Sequence, residues 1–73
     1  MEFEDVVRKI RDRFKERDYF YFDFDDCFLR VSIEVKEDIK DELEDLLKDC
    51  GHYFIPRKVL NGNIRYAIVV WNE

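Results

Sequence analysis

A chain of 73 residues can hold one domain with one hydrophobic core, near the lower end of what folds without disulfides or metals. Because 47% of the residues are hydrophobic and 16% are aromatic, the composition excludes a disordered chain. The formal net charge of −5 argues against long-range attraction to nucleic acid, and no apolar run approaches the ~20 residues of a membrane span.

The sequence also predicts a cellular location and a thermal stability. The N-terminal segment MEFEDVV is acidic and unlike a secretory signal, so we expect a cytoplasmic protein. The chain has no Gln or Thr and many Glu, Asp, Lys and Arg residues, which is the trend of hyperthermophile proteins. We therefore expect a thermostable protein, with a melting midpoint above roughly 80 °C.

Two amphipathic helices are predicted. Across Phe3–Phe14, apolar residues recur every three or four positions, which is the spacing of one helical face. A second helix is predicted over Lys36–Cys50, where Glu37 and Asp38 suit the positive N-terminal end and Gly51 is typical of the position after the last turn.

A first β-hairpin is predicted between the helices, because residues 19–35 alternate between the two sides of a strand pair. With a two-residue loop at Asp25-Asp26, Phe22 would lie opposite Leu29 and Phe20 opposite Val31. All four apolar side chains would then share one face of the sheet.

A second hairpin is predicted around Asn61-Gly62, the strongest short sequence signal for a two-residue turn. Pro56 lacks an N–H, so the third strand is expected at a sheet edge. This turn sets three core-facing pairs: Val59 with Ile64, Ile55 with Ile68, and Tyr53 with Val70.

The predicted class is therefore α+β, with the order α-β-β-α-β-β in a single domain 1–73. Two helices would cover one face of a four-stranded antiparallel sheet, with the strands ordered third, fourth, second, first. This arrangement resembles a circularly permuted ferredoxin-like fold, which hosts many unrelated functions. An offset of 33 residues aligns residues 3–35 with 36–72, which favours an internally duplicated αββ unit over chance similarity of two charged helix–hairpin segments.

Catalytic motifs are not found in the sequence, so we expect no enzyme activity and no cofactor. Chain tracing gathers Cys27, Cys50 and His52 at one end of the fold, near three aspartates. Packed inert thiols are the favoured interpretation, a Cys27–Cys50 disulfide is second, and a metal site is third because Cys50-x-His52 lacks the usual ligand spacing.

The sheet face turned away from the helices is the predicted interaction surface. Strand alternation assigns to it aromatic, apolar and basic residues that could bind a partner: Tyr21, Phe54, Val69, Trp71, Arg30, Lys58 and Arg65. We expect Lys58 and Arg65 to lie directly opposite each other on neighbouring strands. Two like charges in this position destabilise the strand pair unless an anionic group lies beside them. The structural alternative is that Tyr21 only stacks on Arg30.

Three functions remain open. We favour a non-enzymatic protein-interaction module that uses the open sheet face, with itself as partner in a homodimer or with another protein, since monomers rarely leave such an apolar patch bare. The second hypothesis is nucleic-acid contact through the aromatic and basic residues of that face. The third is a small inhibitor that presents the acidic second helix to a basic protein.

Overall fold

A computed structural model describes residues 2–16 and 19–71, with backbone only for Tyr19 and Phe20. It is an α+β fold of two helices and a five-stranded antiparallel sheet. The elements follow in chain order: α1 Phe3–Phe14, β1 Tyr19–Asp25, β2 Arg30–Val35, α2 Lys40–Leu47, β3 His52–Phe54, β4 Arg57–Leu60 and β5 Asn63–Trp71.

The first helix has the predicted bounds. Its apolar face packs into the core, where Val6, Val7, Ile10 and Phe14 are all buried. Glu4 and Asp5 lie in the first turn, where negative charge stabilises the positive end of the helix.

The second helix is shorter than predicted. It spans Lys40–Leu47 rather than Lys36–Cys50, and Ile39 is the N-cap residue. Asp38 therefore precedes the helix, where its Oδ1 accepts a hydrogen bond from the Lys40 N–H at 2.9 Å. Such a bond two residues along the chain favours a turn over a continued helix. Gly51 has φ 99°, which confirms its role beyond the C-terminal end.

The loop of the first hairpin was predicted wrongly. Asp25 pairs with Arg30 and Phe22 with Ile33, so a loop of four residues, 26–29, replaces the two-residue turn at Asp25-Asp26. The Asp25 carboxylate accepts a hydrogen bond from the Cys27 N–H at 3.0 Å, which stabilises this wider loop. Leu29 closes it with φ 52°.

The register error did not change the faces of the strands. Phe22 lies opposite Ile33 instead of Leu29, and Val31 lies opposite Phe24 instead of Phe20. Both shifts are four residues, and side chains alternate with a period of two. Phe22 consequently still packs against the core.

The second hairpin agrees with the prediction. Asn61 (φ 52°) and Gly62 (φ 85°) are both left-handed, as the favoured two-residue turn requires. Val59 pairs with Ile64, and Tyr53 pairs with Val70.

The predicted third strand is divided in two, which makes five strands rather than four. Proline cannot donate to the ladder, and the strand is interrupted at 55–56 between β3 and β4. The carbonyl of Pro56 still accepts the Ala67 N–H at 3.0 Å, so the register continues across the break. The strand order is β1-β2-β5 with β3 and β4 both beside β5, which is the predicted order with Pro56 at the edge.

The core lies between the two helices and one face of the sheet. Buried side chains from α1 and α2 meet those from β2 and β5, and Tyr66 is the largest of them. Neither described helix has both the length and the apolar character needed to cross a membrane.

A polar junction ties the start of α2 to the sheet. The Tyr66 hydroxyl donates to Asp38 Oδ1 at 2.6 Å and accepts the Ile39 N–H at 2.9 Å. Arg57 on β4 forms an ion pair with the other carboxylate oxygen of Asp38. The hydrogen bond from Tyr66, followed by the one from the Lys40 N–H, lowers the pKa of Asp38, whereas burial and the Asp38 bond raise the pKa of Tyr66.

Candidate protein interface on the open sheet face

The face opposite the helices is set by strand alternation. In the sheet ladder Phe54 pairs with Val69, which pairs with Arg30, which pairs with Asp25. Since the neighbouring residues Ile68 and Val31 are buried in the core, these four side chains point away from it.

An apolar corner occupies one end of this open face. Phe54 is 62% exposed and Trp71 is 44% exposed. The half-buried Val69 pairs with Phe54 in the ladder and precedes Trp71 by two residues on β5. The His52 ring stacks on Trp71, with the ring centroids 5.8 Å apart and the planes at 17°. The predicted residues Phe54, Val69 and Trp71 therefore do lie together.

Phe28 was missed by the sequence analysis. It stands in the 26–29 loop with 69% of its surface exposed, and the Arg30 guanidinium lies 5.8 Å from its ring centroid. With the predicted two-residue loop, residue 28 belongs to the second strand, and alternation with Arg30 would already have assigned it to this face.

A polar cluster occupies the other end of the open face. Arg65 Nε and Glu34 Oε1 lie 3.1 Å apart, and the amide of Asn63 donates to Glu34 Oε2 at 3.1 Å. The Arg65 guanidinium also lies 4.5 Å from the ring centroid of Tyr21. Tyr21 donates to Asp23 Oδ2 at 3.0 Å, and this bond is the main cause that raises the pKa of Tyr21.

These contacts settle two points left open by the sequence. Lys58 does pair directly with Arg65, and Glu34 supplies the anion that this pairing requires. The alternative stacking of Tyr21 on Arg30 is wrong, because Arg65 lies over Tyr21 while Arg30 lies over Phe28.

The open face is electrically neutral within the described residues, although the whole chain carries −5. The ladder places six charged residues on it, three bases and three acids: Arg30, Lys58, Arg65, Asp23, Asp25 and Glu34. The excess negative charge of the protein therefore lies outside this face.

The thiols do not form a bridge in this structure. Cys27 is exposed, and Cys50 is buried with its thiol donating to the Leu46 carbonyl at 3.8 Å, so the disulfide considered from the sequence is not formed here. Ligand atoms of Asp25, Asp26 and Cys27 lie within 4.8 Å of one another, a group that omits Cys50 and His52. Asp25 already accepts the Cys27 N–H there, so this group is part of the loop's own hydrogen bonding.

Among the described residues, two small hollows flank the N-terminal part of α1. One, of about 170 Å³, lies between α1 and the sheet end and includes Cys50 and Trp71 in its wall. The other, of about 210 Å³, lies between α1 and Phe24.

Comparisons with known protein families, with characterised proteins and with solved structures find no match for this chain. Its function has to be inferred from the geometry described above.

Proposed function

We propose that this chain is a small non-enzymatic interaction module that self-associates through its open sheet face. The observation that carries the proposal is the exposure of Phe54 (62%) and Trp71 (44%) on neighbouring strands of a face that neither described helix covers. Contiguous apolar patches of this kind are uncommon on monomers and mark association surfaces.

The composition of the face suits a protein partner. Aromatic and Arg side chains are enriched among the residues that dominate the binding energy of protein interfaces. Here Trp71 is stacked on His52, and Arg30 lies over Phe28, so these rings are already oriented before a partner arrives. Orientation in advance lowers the entropy lost on binding.

The charge distribution favours a second copy. Two chains of net charge −5 repel unless their acidic surfaces face apart. Pairing the neutral open faces meets that condition, and it lets the bases of one copy meet the acids of the other. A pairing about a two-fold axis uses the open face of both copies, so no open face is left for a third copy and the assembly stops at a dimer.

The size of the face predicts a weak dimer. Four strands at about 4.8 Å spacing and roughly seven residues of length give a patch near 19 by 23 Å. Two such patches bury on the order of 1,000 Å² together, which is the low end of specific interfaces. We expect a Kd in the micromolar range.

Single substitutions test the proposal. Phe54→Ala or Trp71→Ala should weaken self-association by about 2 kcal/mol, or roughly 30-fold in Kd, because each removes an aromatic anchor. Sedimentation equilibrium with interference optics gives the Kd without relying on Trp absorbance.

The chain offers two matched controls. Val59 is 70% exposed and Phe24 is 49% exposed, but both point to the helix side of the sheet. Val59→Ala and Phe24→Ala should leave the Kd unchanged within about twofold. If they weaken association as much as Trp71→Ala does, the open face is not the interface.

The nucleic-acid hypothesis is less well supported. Arg65 is already engaged by Glu34 and Tyr21, and the open face carries as many acids as bases. Binding to phosphates would weaken steeply with salt, whereas apolar self-association would not. The acidic-inhibitor hypothesis is also weaker, since Glu42 and Asp45 on α2 are paired with Arg13 and Lys48.

One finer assignment belongs to this proposal. The element order and strand order support the circularly permuted ferredoxin-like fold.

A further inference from the structure

β1 has a strand neighbour on only one side. It lies at the end of the sheet beside β2, and no strand in the described part of the chain covers its outer side. The backbone groups along such an edge are a template for pairing with another chain. The opposite edge of the sheet is interrupted at Pro56, so it offers only short strands.

A side chain occupies one of the outward N–H donors of this edge. The Phe24 N–H donates to Asp23 Oδ1 at 2.8 Å rather than to a carbonyl of β2. In an antiparallel ladder, alternate residues direct their N–H groups away from the partner strand, and Phe24 is one of these. Asp23 therefore takes the place that an incoming strand would use.

The carboxylate of Asp23 is held in position from the sheet centre. Its Oδ2 accepts the Tyr21 hydroxyl at 3.0 Å, and the Tyr21 ring lies against the guanidinium of Arg65. Arg65 is in turn fixed by Glu34 at 3.1 Å. The contact to the Phe24 N–H is thus the last link of a chain of contacts across three strands.

We propose that Asp23 closes the free edge of β1 against strand addition, and that the strand this edge would otherwise accept is β1 of a second copy. Antiparallel pairing of two β1 strands about a two-fold axis brings the Asp23 carboxylates of both copies close together, and like charges across strands repel. The Asp23 side chain belongs to the open face, but what it closes is the backbone edge of β1, so edge pairing and open-face pairing differ in which strands they protect.

The test uses a background in which the open face is disabled by Phe54→Ala and Trp71→Ala. In that background Asp23→Ala should tighten self-association at least tenfold, measured by sedimentation equilibrium up to about 1 mM. Asp12→Ala is the control, because it removes the same charge from an exposed site on α1. Asp23→Asn keeps an oxygen that accepts the Phe24 N–H, and it should associate less than the Ala variant.

Amide hydrogen exchange locates the contact. At low concentration the Phe24 N–H should exchange several-fold faster in Asp23→Ala than in the parent, and it should regain protection as the variant associates. No gain in association for Asp23→Ala, or an equal gain for Asp12→Ala or Asp23→Asn, would overturn the proposal. Protection that appears on β3 and β4 instead of β1 would overturn it as well.

Discussion

Replacing Tyr66 by Phe removes one hydroxyl from the junction between α2 and the sheet. The ring, which is fully buried, stays in place, but the Ile39 N–H loses its 2.9 Å acceptor and Asp38 loses its 2.6 Å donor. A buried donor without a partner costs about 1–3 kcal/mol, while water can replace the donor at the half-exposed carboxylate. We expect a loss of about 2 kcal/mol in the free energy of unfolding.

Urea denaturation followed by circular dichroism measures this loss, and for a domain of this size it lowers the melting midpoint by about 8–16 °C. Tyr53→Phe is the control, because Tyr53 is only half-buried, and it should change stability by less than about 0.5 kcal/mol. Equal effects of the two substitutions would refute the role assigned to the Tyr66 hydroxyl.

The same variant changes the pH dependence. A lowered folded-state pKa means that Asp38 adds stability above its ordinary pKa of 3.8, and this contribution is lost as the pH falls below that value. A raised pKa means that Tyr66 adds stability below pH 10.0, which is lost as the pH rises further. In Tyr66→Phe the free energy of unfolding should therefore fall less steeply at acid pH, because Asp38 has lost a hydrogen bond that lowers its pKa. The loss of stability that ionisation of Tyr66 causes at alkaline pH should disappear.

Three further outcomes are expected. The wild-type protein should melt above roughly 80 °C, and a midpoint near 55 °C in calorimetry would contradict the thermostability inferred from composition. Glu34→Gln should cost about 1 kcal/mol in urea denaturation, because it leaves Arg65 opposite Lys58 without its anion, and Lys58→Gln in the same chain should recover part of this loss. A thiol reagent should label Cys27 quickly in the native protein and Cys50 only after unfolding; rapid labelling of both would show that Cys50 is not packed.

Local turn chemistry decided which parts of the fold could be predicted. Asn61-Gly62 left one register for the second hairpin, and that register is observed. Asp25-Asp26 is a weak turn signal, and the structure has a four-residue loop at 26–29 in which the Cys27 N–H donates to Asp25, so the strand pairing is shifted by four residues. The face of Tyr21 was still predicted correctly, since a shift of four residues preserves alternation.

The junction at Tyr66 was not predicted, because it joins residues far apart in sequence. Tyr66 lies between Ile64 and Ile68 and shares their core-facing alternation, so its burial could have been inferred. Its hydroxyl then needed a partner, and Asp38 was instead assigned to the first turn of a longer α2. Nothing in the local pattern relates position 38 to position 66; only the packed sheet and helix do.

The oligomeric state of the wild-type chain and of Trp71→Ala tests the central claim most directly. Sedimentation equilibrium from about 10 μM to 1 mM should show a wild-type dimer with a micromolar Kd, little changed between low and high salt. Trp71→Ala should remain folded by circular dichroism and be largely monomeric over the lower part of this range. A wild-type chain that is monomeric throughout, or a Trp71→Ala variant that dimerises as tightly as the wild type, would contradict an interface on the open sheet face.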